Sequence, residues 1–140
     1  MEKMVKMNNE EINDAVNTLV SVINAMTKGD FKHTPDFSYV VGRNLRLLRS
    51  ENSDYIEQQQ QLIREYGEFK TDEEGRSYYS VNKEDKAQYE SYQQKLQKLS
   101  KMEHEISIYA VSAQKMQEWA LPFEIESVLW FLLDEDTLGL

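Results

Sequence analysis

The chain has 140 residues and a mass of 16.5 kDa, the size of one folding unit. Twenty-five acids against 16 bases leave a net charge of −9, while 40% apolar residues with only five Gly and two Pro exclude collagen-like, low-complexity and fully disordered classes. The acidic balance argues against coating duplex nucleic acid, which needs Lys and Arg to displace phosphate counterions. The absence of Cys excludes disulfide scaffolds, thiol catalysis and zinc–cysteine sites.

The opening Met1-Glu2-Lys3-Met4-Val5-Lys6-Met7 has no apolar run behind it, so no secretory signal is expected. The longest apolar run, Val128–Leu133, is far short of the ~20 residues that span a bilayer. A first helix starts at Asn8 or Asn9, with Glu11 completing a capping box. Ile12, Ala15, Val16, Leu19, Ile23 and Met26 recur at helical spacing, and Lys28-Gly29 is a suitable stop.

Thr34-Pro35-Asp36 opens a second helix: a cap, a proline at the first helical position, and an acid in the first turn. No breaker follows until Gly67, so a rod of ~48 Å is expected over about 34–66. Phe37, Val41, Leu45, Leu48, Tyr55, Ile56, Leu62, Ile63 and Tyr66 fall in one arc of roughly 120°, interrupted by Asn52 and Gln59. Polar residues within such a stripe can fix register at a cost in stability.

Asp72-Glu73-Glu74-Gly75 reads as a turn and residues 76–81 as a strand. A third helix spans about Asn82 to Met102, with Asn82 as cap and Tyr89, Tyr92, Leu96 and Leu99 as its stripe. Ile106, Ile108 and Ala110 alternate with Ser107 and Tyr109, which predicts a strand over 105–111 paired with 76–81. Residues 114–121 are ambiguous. Pro122 then opens a last helix over 122–134, with Ile125, Val128, Leu129 and Leu132 inward.

Little chemistry stands out. His33 and His104 lack metal-ligand spacing, and there is no nucleophile elbow, Walker loop or dinucleotide fingerprint. No catalytic residue, metal or cofactor is assigned. Charge, however, is uneven: residues 51–74 and residues 116–140 each carry net −6. Glu51, Asp54, Glu57, Glu65 and, should the helix continue, Glu68 share an arc of roughly 120° away from the apolar stripe. Such a row is either a solvated helix face or a carboxylate ladder that imitates nucleic-acid phosphates before a basic groove. Arg43, Arg46 and Arg49 form a basic stripe, for pairing with the acidic C-terminal stretch or for contact with an acidic partner. Trp130 and Phe131 belong either to the core or to an interface, where aromatic residues are enriched.

The order of elements, the Ile63-Arg64-Glu65-Tyr66-Gly67-Glu68 segment and the Pro-led C-terminal helix ending in acids resemble a family of small phage-encoded proteins of unknown function, from phages and prophages of Gram-positive bacteria. The resemblance covers roughly residues 8–136 and implies a phage accessory protein without enzymatic activity, in the host cytoplasm or, alternatively, the virion. The expected fold is α+β, mostly α. A long antiparallel, coiled-coil-like hairpin (34–102) would carry a small β element and terminal helices within one domain (1–140). The expected function is non-enzymatic binding of a host or phage protein, as an inhibitor of a defence nuclease by occlusion. The alternative is a tail or assembly adaptor that oligomerises through the hairpin. A second copy of the chain is a further expected partner; nucleic acid and membrane are not.

Overall fold

Residues 1–137 are described by a computed structural model, which is α+β and mostly helical. Its first element was not anticipated. Glu2–Asn8 forms strand β1, with Val5 and Met7 packed against the core and Met4 turned to solvent. β1 pairs antiparallel with β4 (Glu103–Tyr109), placing Val5 opposite Ile106 and Lys3 opposite Ile108. Helix α1 (Asn9–Lys28) follows directly and carries the expected capping box: Asn8 Oδ1 accepts from the Glu11 N–H, and Glu11 Oε1 accepts from the Asn8 N–H. Gly29 ends it in the left-handed region at φ 73°, where a Cβ would be strained.

Helix α2 (Pro35–Tyr66) runs unbroken for 32 residues, capped by the Thr34 hydroxyl. Its apolar arc is buried from Phe37 to Tyr55 against α1 and β4. Two polar side chains lie within that buried length. Asn44 bonds to backbone groups of Tyr109, whereas Asn52 is 3% exposed and its Oδ1 has no protein partner among the described residues.

Past Tyr55 the pattern of burial changes abruptly: between Tyr55 and Ile106 no residue is buried. α2 continues to Tyr66 and hands over to β2 (Gly67–Thr71), which pairs antiparallel with β3 (Ser77–Val81). The expected pairing of 76–81 with 105–111 is therefore corrected: each of these strands has a different partner. The tight turn decides this. Asp72 Oδ1 accepts from the N–H groups of Glu74 and Arg76, and Gly75 adopts φ 83°, so β3 folds back on β2 at little loop-closure cost.

Helix α3 (Lys86–Lys101) starts later than expected because Asp85, not Asn82, is its cap; Asn82 instead accepts from the Glu84 N–H in the preceding turn. α3 lies beside the distal half of α2. Tyr66 and Ser91 hydroxyls are 3.1 Å apart, Glu65 meets Lys95 at 3.7 Å, and Gln88 Nε2 donates to the Tyr66 carbonyl. At its other end the Asn9 carboxamide donates to the Leu99 carbonyl and the Asn9 N–H to that of Met102.

Ile106 and Ile108 of β4 point into the core, as their alternation predicts. Beyond β4 the chain forms short helices α4 (Ala113–Glu118) and α5 (Phe123–Val128), then two 3-10 turns at Trp130–Leu132 and Glu135–Thr137. The continuous helix expected over 122–134 is thus corrected. The Val111 N–H donates to the Leu132 carbonyl and the Asp134 N–H to that of Val111, which draws the chain into an extended bridge. Leu129 and Leu132 are inward as expected, while Val128 faces solvent. Positions 138–140 of the acidic stretch lie outside the described residues.

Candidate interaction surfaces

The acidic row survives in shortened form. Glu51, Asp54 and Glu57 are exposed on α2 and make no ion pair among the described residues. Glu65 is on the same helix but is held by Lys95. Glu68 leaves the row altogether: α2 ends at Tyr66, Gly67 is extended, and Glu68 sits in β2 opposite Ser80. α3 also brings Lys86, Lys95, Lys98 and Lys101 against the single acid Glu90, so α2 at net −1 and α3 at net +3 together carry a positive charge. Glu51 and Asp54 border a small cavity of about 90 Å³ with Tyr55, Leu99 and His104. Burial raises the Tyr55 hydroxyl pKa, and the nearby carboxylates of Glu10 and Asp14 add to the effect.

The basic stripe is divided. Arg43 donates to the Tyr39 hydroxyl at 3.0 Å and to Glu2 Oε1 at 2.6 Å, and its guanidinium lies 4.7 Å from the centre of the Tyr109 ring. The Tyr39 and then the Glu2 hydrogen bond raise its pKa further. Arg46 and Arg49 are exposed and make no ion pair among the described residues. Pairing of this stripe with the C-terminal acids is corrected: Lys3 of β1 takes Asp134 at 3.7 Å and Arg43 takes Glu2, because this stretch of α2 packs against β4.

At the C-terminus the backbone bridge to Val111 sets the directions of the two aromatic candidates. Trp130 is 63% exposed, whereas Phe131 is half-buried against the core. Phe123 and Val128 are also exposed.

Three polar groupings escaped the sequence reading. Asn44 is one. In the second, Asp36 receives Lys115 Nζ and Trp119 Nε1, each at 3.1 Å. Lys115 first, then Trp119, holds the Asp36 carboxyl below the ordinary carboxylate range, against the opposing pull of desolvation. The third joins His104 Nε2 to Asn9 Oδ1 at 2.9 Å. The other histidine, His33, is exposed and lies tilted against Phe31 and Phe37 at 5.9 and 6.3 Å between ring centres. Each grouping links residues far apart in sequence, so no local pattern announces it.

Among the described residues no group of three or more His, Asp or Glu converges to hold a metal, and no helix is long and apolar enough to cross a membrane. No family model, no curated protein and no solved structure matches this chain.

Proposed function

We propose that this is a non-enzymatic phage accessory protein that acts by binding another protein, with the outer face of α2 as its working surface. The observation that carries the reading is the exposure of Glu51, Asp54 and Glu57 on one helical arc without internal counter-ions. Unneutralised carboxylates held on a rigid helix attract a basic groove at long range and can fill it without giving it a phosphate to cleave. A defence nuclease in the host cytoplasm is the kind of partner such a surface suits. The phage origin rests on the order of elements and the Ile63–Glu68 segment. The hydrogen bond of His104 to Asn9 gives that side chain a structural role, in keeping with a role without turnover.

A second reading has its own observation. α2 and α3, taken as an antiparallel coiled-coil-like hairpin, expose or half-expose every side chain beyond Tyr55. That suits an adaptor of the virion or tail assembly, which joins copies or neighbours through such an arm.

Affinity capture from infected host lysate, at low and at high salt, separates the two. A nuclease lost steeply as salt rises supports occlusion. A structural phage protein retained at high salt overturns it in favour of the adaptor. Charge reversal of Glu51, Asp54 and Glu57 should weaken capture by about tenfold or more; unchanged capture would leave these acids as solubilising groups.

A further inference from the structure

α1 runs antiparallel to α2. Its first turn lies near Tyr55, whose hydroxyl feels the charges of Glu10 and Asp14, and Phe31 just past its end meets Phe37 edge to face at 5.8 Å between ring centres. α1 therefore fills a third-helix position beside α2 along the buried half, with its N-terminus at the point where burial stops. Beyond Asn9 that position stands open along the arm. On α2 it is faced by Ile56, Gln59 and Ile63, which share an arc of ~60°; on α3 by Tyr89, Gln93 and Leu96, which share another. Ile56 is 40% exposed and none of the six is buried. Tyr89, Gln93 and Leu96 border a surface groove along α3 that Glu90 also lines, and Glu10 and Lys101 close its inner end with their ion pair at 3.0 Å.

We infer that the occupant of this position is the arm of a second copy, packed antiparallel to form a four-helix bundle about a two-fold axis. The inference rests on the arm being an interaction element and names its partner. Three features select a second copy. The six named side chains are apolar or uncharged and the acid Glu90 stands ~60° round α3 from Gln93, so two identical faces meet with little like-charge repulsion, as a self-complementary two-fold contact requires. A strongly charged partner would find at most the single acid Glu90 there, since Glu10 and Lys101 neutralise each other. The 16 residues of α3 give a face of ~24 Å by about 20 Å, so the pair buries roughly 1,000 Å² in total, the lower bound for a specific interface. The antiparallel direction follows because α1 already occupies the same layer beside the core; an arm entering from the opposite end meets α1 end to end instead of colliding with it.

Sedimentation equilibrium between about 1 and 200 µM tests this, with a monomer–dimer equilibrium of roughly 10 µM expected. Ile56→Glu and Leu96→Glu, at side chains the monomer does not bury, should each give a monomer with unchanged helical circular dichroism. The chain has no Cys, so single cysteines report geometry cleanly. Gln93→Cys, near the middle of α3, should cross-link to its own copy, and Tyr79→Cys, at the arm's tip, should not. A monomer throughout the range, a dimer indifferent to Ile56→Glu and Leu96→Glu, or cross-linking through Tyr79→Cys instead of Gln93→Cys overturns the inference. If the protein is monomeric yet the same two substitutions abolish capture of a partner from lysate, self-association fails while the arm remains a binding element. Charge reversal at Glu51, Asp54 and Glu57 should leave the dimer intact, which keeps its fate separate from that of the acidic face.

Discussion

The carboxamide of Asn44 completes the backbone bonding of Tyr109: its Oδ1 accepts from the Tyr109 N–H at 2.7 Å and its Nδ2 donates to the Tyr109 carbonyl at 3.0 Å. One side chain of α2 thus stands in for a strand at the free edge of β4. Asn44 is fully buried, so its removal strands both backbone groups away from water. Asn44→Ala should cost about 2–4 kcal/mol, and Asn44→Asp at least as much because it substitutes an acceptor for a donor beside a carbonyl. Urea unfolding followed by circular dichroism measures the loss.

Asn52 makes the opposite case. It is buried on the same helix with an acceptor left unbonded, so replacing it with an apolar residue removes a desolvation cost. Asn52→Leu should raise stability by about 1 kcal/mol in the same experiment. A loss greater than that would show that the amide is bonded in solution.

The pH dependence follows from Asp36. Its folded pKa lies below the unfolded value because Lys115 and Trp119 favour the carboxylate. The contribution to stability is therefore fully present above the unfolded pKa and is lost as pH falls through the folded one. The side chain is about half exposed, so the effect is small. Asp36→Asn should flatten the acid side of a thermal-stability profile below about pH 4 and leave the shape of the profile near neutrality unchanged.

Gly67 joins α2 to β2 at a close approach, where an added Cβ would fall on the Ile63 carbonyl oxygen. Backbone cannot yield as a side-chain tip can. Gly67→Ala should raise hydrogen-exchange rates across residues 67–81 while amides of α1 and β4 keep their protection, since the arm shares no buried side chain with the core.

Ala120 holds φ +49° after α4, a conformation that costs a residue with a Cβ about 1 kcal/mol. Ala120→Gly should therefore raise the melting temperature slightly, by the balance of relieved strain against added chain entropy.

What could be read from the sequence follows the range of each signal. α2 was legible because its cap, its Pro35 and its unbroken spacing are all local, and the Asn8–Glu11 box fixed the start of α1 for the same reason. The β pairings were not. Val5 and Met7 alternate over too few residues to announce β1, so the strand expected over 105–111 has only 76–81 as a visible partner. The acidic row lost Glu68 to a helix end that Gly67 marks plainly, and lost Glu65 to Lys95, a partner 30 positions away. The C-terminal helix broke where Val111, distant in sequence, captured the backbone at Leu132 and Asp134.

The pairing of β1 with β4 sets an order of events during synthesis. Some hundred residues separate Val5 from its partner Ile106, so the sheet cannot close until β4 has left the ribosome. Until then α1 and α2 have only each other to shelter their greasy sides, and the nascent protein depends on that two-helix pair to stay out of aggregates.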